Sequence, residues 1–433
     1  MHHLRGGPDR SRANAPVASA APQVARFDPD EASGQLGPMI PTGELLADPR
    51  VVAAIEAIRA SAAETVEEQI ALTRIPAPPF GEAARARAVR DRLAALGLAP
   101  EIDEVGNVLA RLPGTPGGEP VVLSAHLDTV FPAGTPIEVR REGELVRAPG
   151  ISDDGRGLAV VLAVARALRA AGIRTGRTLL LVATVGEEGA GDLRGARHLL
   201  GGSGAARGAS AFVSVDGAGL ERIVTRGLGS RRVRASVRGP GGHSWQDRGR
   251  VNPLHALADA VAELTELRLP GGPESSLTVT RWGGGKSINA IPQEAWIDVD
   301  IRSVDPERPA ELEAELRQVL ADAVAREHGR SAGTLELEVT LLGVRPAGRT
   351  PEDHPLVLAA DAATREVGAR PIYVLSSTDA NAAMAAGIPA ITLGGGGLAG
   401  LAHTTDEWYE DQRGADGVVR ALLTVLSVAG LAD

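Results

Sequence analysis

The 433-residue sequence has no cysteine, one lysine (Lys286) and few aromatic side chains, 2% of the total. Without cysteine there are no disulfides, no thiolate zinc or iron–sulfur sites and no cysteine nucleophile. A bound metal would have to be held by histidine and carboxylate, a donor set that suits zinc, manganese or cobalt. Basic tracts are missing too. The chain carries 45 basic and 55 acidic residues, a net charge of −10, which argues against a nucleic-acid partner. The longest unbroken apolar run, Leu158 to Ala165, is too short to cross a bilayer, so no membrane partner is expected. Scarce aromatics leave alanine, valine and leucine to build the core, and an apolar content of 43% is enough for one. Met1 to Gly43 shows no hydrophobic period. Pro16 and Pro22 interrupt its alanine-rich part, and it lacks the leucine-rich centre of a signal peptide. The stretch 1–43 therefore reads as a disordered extension of a cytoplasmic protein.

Beyond that point helical and strand patterns alternate. Val121 to Val130 reads as a strand, and the near-continuous apolar runs at Thr178 to Val185 and Ala211 to Val215 predict strands covered on both faces. The helical patterns between them, such as Leu158 to Ala171, imply an α/β fold with a largely parallel sheet. Between Glu221 and Leu342 the order becomes β-α-β-β-α-β, the ferredoxin-like unit, and after Pro346 the βα alternation resumes. The expected division is one α/β domain formed by 44–226 and 344–433, with a smaller α+β domain, 227–343, inserted into it.

Chemistry-bearing residues gather at predicted strand ends. His126 and Asp128 interrupt an apolar strand at positions two apart, which share a face, and a carboxylate beside a ligating histidine fixes its tautomer. Asp153 and Asp154 lie in the glycine-rich turn Gly150-Ile-Ser-Asp153-Asp154-Gly155, where they could cap the following helix or serve a pair of cations. Glu187 and Glu188 follow a buried strand, at the carboxyl end where ligands of open sheets bind. Asp216 repeats this position, and His403 follows a glycine-rich loop. That loop lacks the P-loop pattern, and no G-x-S-x-G elbow is present. Five expected ends of one sheet thus offer enough ligands for two divalent ions that share a carboxylate.

In this combination the sequence resembles the dizinc peptidase and deacylase family of peptidase T, glutamate carboxypeptidase, acetylornithine deacetylase and succinyl-diaminopimelate desuccinylase. The family's H-x-D is matched by His126-Leu-Asp128, its G-x-x-D by Gly150-Ile-Ser-Asp153, and its paired glutamates by Glu187-Glu188. Its later aspartate and carboxyl-terminal histidine are matched by Asp216 and His403. The resemblance implies a zinc-exopeptidase-like catalytic domain and an inserted lid or dimerisation domain. It also implies two divalent metal ions, zinc first, with cobalt or manganese as alternatives. His126 and Asp216 would hold one ion, Glu188 and His403 the other, and Asp153 would bridge them. Asp128 would orient His126, and Glu187 would be the base. His243, in Gly239-Pro-Gly-Gly-His243-Ser, matches an imidazole that reaches the substrate carbonyl, in some members across a dimer interface. Asn289 and Arg302 match lid positions that contact the substrate.

The expected activity is hydrolysis of an amide bond in a short peptide or N-acyl amino acid, by a homodimer joined through the inserted domain. The alternatives are a related dizinc aminopeptidase and a catalytically silent binding protein. Asp379 and Asn381, in Ser376-Ser-Thr-Asp379-Ala-Asn381, are expected to line the substrate pocket, while Trp245 is either a specificity element or a core side chain. Gly155 stands where many relatives carry lysine.

Overall fold

The computed structural model describes residues 39–115, 118–267, 269 and 274–432. The expected extension falls outside the described residues as far as residue 38. Its last few residues belong to the folded chain. Ile40 packs on the core and donates its N–H to the Ser427 carbonyl at 3.0 Å, and a short helix begins at Thr42.

A nine-stranded sheet forms the larger layer. Its centre runs Leu179–Thr184, Val121–His126, Ala211–Val215 and Ala390–Leu393, all parallel. Val108–Leu112 pairs antiparallel on one side, and Arg222–Gly227 pairs antiparallel on the other while running parallel to Ile372–Ser376. The central strands are apolar throughout because both faces are covered. Val121, Leu123 and Ala125 face one core, with helices Pro49–Ala60, Gly155–Ala170 and Gly414–Ala429. The alternate residue Val122 joins Leu180 and Phe212 in a second core, under helices Arg194–Leu200 and Ala380–Ala385. Small aliphatic side chains do nearly all of this packing.

The chain leaves this sheet after Gly227 and returns at Gly348–Arg349. In between, four antiparallel strands pack in the order Ser275–Gly284, Glu294–Ser303, Gly229–Arg238, Glu336–Arg345. Helices Pro253–Glu266 and Arg308–Arg330 cover one face through Val233, Ile297, Ile301, Leu257, Leu316 and their neighbours. The element order and strand order are ferredoxin-like. Among the described residues no helix is long and apolar enough to cross a membrane.

A third sheet has four strands of three residues each: Leu398–Gly400, Trp408–Glu410, Leu145–Arg147 and Arg140–Glu142. Segments this short show no period, and sequence patterning does not reveal them. The Val121 strand is also shorter than expected. It ends at His126, so Asp128 lies beyond the ladder.

Two residues expected at the pocket wall belong to the scaffold instead. Asn381 is fully buried. Its amide donates to the Leu228 and Pro346 carbonyls, 2.9 Å each, and its oxygen accepts from the Thr378 N–H at 3.0 Å. Leu228 and Pro346 lie on the two connections between the sheets, so one side chain ties both. Asp379 is buried behind the Leu179–Thr184 strand, with Oδ2 2.5 Å from the Thr184 hydroxyl. Its Oδ1 has no hydrogen-bond partner among the described residues. Burial pushes this carboxyl up to about 6, against the lowering effect of the Thr184 bond. Thr184 Oγ1 also lies 3.1 Å from the Ala125 carbonyl. One hydroxyl proton cannot serve both acceptors, so the two bonds coexist only when Asp379 is protonated and donates to Thr184 Oγ1 while Thr184 donates to the Ala125 carbonyl.

An acid whose pKa is raised by folding stabilises the fold below its unfolded pKa and loses that contribution as pH rises through the folded one. The neutral variant Asp379→Asn should therefore gain on the wild type as pH rises from 4 to 7, by roughly 2–3 kcal/mol in total. Urea melts of metal-free protein across this range measure it. A difference that does not vary with pH contradicts the assignment.

Candidate metal centre

Three central strands deliver ligand-type residues to one end of the large sheet. His126 closes the Val121 strand, Glu187 and Glu188 follow Leu179–Thr184, and Asp216 follows Ala211–Val215. The other two come from elsewhere, which corrects the expectation of five ends of one sheet. Asp153 sits in the turn that starts helix Gly155–Ala170, and His403 lies in the hairpin of the third sheet between Leu398–Gly400 and Trp408–Glu410.

All of these residues converge. Nε2 of His126 is 2.9 Å from Oδ1 of Asp153, and Nε2 of His403 is 3.0 Å from Oδ2 of the same carboxylate. His403 also lies 3.1 Å from Glu188 Oε1. Three groups of ligand atoms each fall within 4.8 Å: His126, Asp153 and Asp216; Asp153, Glu188 and His403; and His126, Glu187 and Glu188. Asp153 belongs to the first two and offers one oxygen to each. An all-nitrogen and oxygen donor set with a shared carboxylate fits two divalent ions of the zinc, cobalt or manganese kind.

The electrostatics point the same way. Burial works against a charge on His126, yet Asp154, Asp128 and Asp153 raise its pKa well above the ordinary value. His403, bonded to Asp153 and Glu188, is pushed up to about 10. Asp153 is lowered despite its burial, by the hydrogen bonds from His126 and His403. Burial drives Asp216 well above the carboxylate range, and Asp153 adds to the effect. These shifts mark a site with more carboxylate charge than its own cations balance, a setting in which a metal ion would displace protons from its ligands.

Buried carboxylates that take no part in the ligand groups hold the ligands in place. Asp154 accepts from the His126 and Gly157 N–H groups at 2.9 Å each and from Gly217 at 3.2 Å. Of the two adjacent aspartates, one caps the helix and the other faces the ligands. Asp128 accepts from the Glu187 and Glu188 N–H groups at 2.9 and 2.8 Å. His126 Nδ1 bonds the Asp128 carbonyl oxygen at 3.0 Å, while the carboxylate is 3.7 Å away. Asp128 thus orients His126 chiefly through its backbone. Glu407 gathers the N–H groups of Gly150, Ser152 and Asp153 at 2.7–3.0 Å, so the loop that carries His403 also fixes the turn that carries Asp153. A lysine could not replace Gly155, because even a Cβ there would lie 2.5 Å from Thr73 Oγ1.

A cavity of about 570 Å³ opens over these groups, lined by Asp153, Glu187, Glu188, Asp216 and His403 among others. Arg302 reaches it, as do Arg222, Arg232 and Arg345, to which sequence patterning assigns no role. Arg345 is buried, with Nη1 2.9 Å from Glu187 Oε1, and it also bonds the Glu187 carbonyl. Burial raises Glu187 well above the carboxylate range, against the pull of Arg345. Ser376, Ser377 and Thr378 line the wall; Asp379 and Asn381 do not. His243 and Asn289 lie outside the cavity. Both are exposed: His243 is on a two-residue strand and pairs with Ala290, and Asn289 is in the turn just before Ala290. Trp245 beside them is 72% exposed, which rules out the core reading.

The chain is similar to known proteins over most of its length. A LysW-lysine hydrolase of Deinococcus radiodurans is 26% identical over 355 residues, 77% of this chain and 88% of that one. The aminopeptidase PepT of Bacillus cereus superposes with a TM-score of 0.67 at 23% identity, covering 84% of this chain and 98% of its own. A dinuclear metal-binding peptidase of Bacillus subtilis, at 17% identity, gives 0.63 over 86% and 99%. The sequence matches the Peptidase family M20/M25/M40 over residues 122–426, and the chain belongs to that family.

Proposed function

We propose that this member of the family hydrolyses the amide bond of a short peptide or an N-acyl amino acid with two divalent ions, zinc in the first place. The observation that carries the reading is Asp153, whose two oxygens face two different histidines. His126 and Asp216 would hold one ion, Glu188 and His403 the other, and Asp153 both. When bound, such ions supply Lewis-acid activation of a water and of the amide carbonyl.

Glu187 does the proton work. It takes a proton from the attacking water as oxygen adds to the carbonyl carbon, and gives it to the nitrogen as the C–N bond breaks. Its burial raises the affinity for that proton, and Arg345 holds the carboxylate and favours its charged state. Arg302, whose planar fork suits a carboxylate, would take the terminal carboxylate of the substrate. Glu187→Gln keeps the shape and the metal ligands. It should retain bound metal while lowering kcat by about 10²–10⁴-fold. Metal content and turnover on a panel of dipeptides and N-acetyl amino acids measure both, and an active variant contradicts the role.

The working unit of this reading is a homodimer joined through the ferredoxin-like unit. His243 and Asn289 are exposed beside Trp245 and Ile288, away from the cavity of their own chain. A polar pair flanked by two exposed large apolar side chains suits a neighbour's site better than solvent. In this arrangement His243 donates to the developing oxyanion of the partner subunit's site, and Asn289 contacts its substrate. Mixing Glu187→Gln and His243→Ala chains should then restore activity. The expected level is about a quarter of wild type, because about half the dimers are mixed and each has one complete site. A mixture no more active than its parents contradicts action across the interface.

A further inference from the structure

The cavity has more positive charge than one substrate carboxylate and the metal ligands require. Arg302 and Arg345 stand opposite Ser230 on the two strands that flank it, and Arg232 lies two residues further along the middle strand. Residues directly opposite share a face, so these three arginines project from the face of the ferredoxin-like sheet that its helices leave uncovered. Arg222 joins them from the first position of its strand in the large sheet.

Their partners do not balance them. Arg232 and Arg302 share the single carboxylate of Asp300, at 3.8 and 2.7 Å. Arg345 is committed to Glu187. Arg222 is exposed and has no ion partner among the described residues. Near this group the wall is finished by the neutral hydroxyls of Ser376, Ser377 and Thr378. The lining carboxylates Asp153, Glu187, Glu188 and Asp216 are the ligand and base groups, whose charge bound cations would offset.

We infer that the substrate is an amide with two carboxylates, one taken by Arg302 and a second by Arg222 with Arg232. The inference rests on the hydrolase reading above and narrows it to a substrate class. The second carboxylate has two chemical sources: an acidic side chain on the released amino acid, or a dicarboxylic acyl group on the other side of the scissile bond. Either gives guanidinium groups a planar, bidentate partner.

Matched substrate pairs that differ by one charge separate these cases. On metal-loaded enzyme, Ala-Glu against Ala-Gln tests the amino-acid side, and N-succinyl-alanine against N-butanoyl-alanine tests the acyl side. The dianion of one pair should be favoured at least about 30-fold in kcat/KM, the scale of a charged hydrogen-bonded pair. Arg222→Gln should reduce that ratio by about tenfold, while Arg222→Lys retains part of it. Ratios within about threefold in both pairs, on an enzyme that turns over the neutral members, overturn the inference and leave the hydrolase reading intact. Absence of turnover on every amide contradicts the hydrolase reading instead. Thermal melts of metal-loaded protein with glutarate against butyrate then decide the charge preference independently: stronger stabilisation by glutarate, reduced in Arg222→Gln, supports it, and equal stabilisation overturns it.

Discussion

The rest of the structure depends on one arrangement, the carboxylate of Asp153 held between two imidazoles. His126 meets one oxygen and His403 the other, at 2.9 and 3.0 Å. Around this carboxylate stand Glu187, Glu188 and Asp216, mostly out of water. Like charges at this density are unfavourable in a protein interior unless cations or protons compensate. The raised pKa values of Asp216, Glu187 and both histidines express that constraint. A pair of divalent ions would remove it at once.

Holding such a cluster in place takes a rigid frame. Asp154, Asp128 and Glu407 each bind two or three backbone N–H groups of the segments that carry the ligands. Charge-assisted bonds of this kind are short and strong, and they fix backbone rather than side chain. Small residues let the frame close. At Gly157 a Cβ would meet the Asp154 carboxylate at 2.3 Å and the Val215 carbonyl at 2.4 Å. Asn381 extends the frame to the joints between the two larger sheets, and Asp379 ties helix Ala380–Ala385 to Thr184 at the end of its strand.

Much of this was open to reading in the sequence, for physical reasons. Buried parallel strands are apolar throughout, so a histidine or carboxylate at such a strand's end stands out, as His126, Glu187 and Asp216 do. The inserted unit was readable from its alternating strands and its order of elements. Other features lacked a local signal. Strands of three residues carry no period, so the third sheet, which brings His403 to Asp153, stayed hidden. Asp379 and Asn381 stand in a polar run after a strand, yet helix Ala380–Ala385 starts there and turns both inward, leaving Ser376 to Thr378 on the cavity wall. Arg222, Arg232 and Arg345 resemble any other strand arginine until the folded chain brings them over the ligand cluster.

The central claim is that Asp153 serves two ions at once, so counting ions per chain tests it most directly. Protein loaded with excess zinc, dialysed and assayed by mass spectrometry should contain two ions per chain for the wild type and no more than one for Asp153→Ala. A wild type that holds a single ion, or an Asp153→Ala variant that still holds two, would contradict the account.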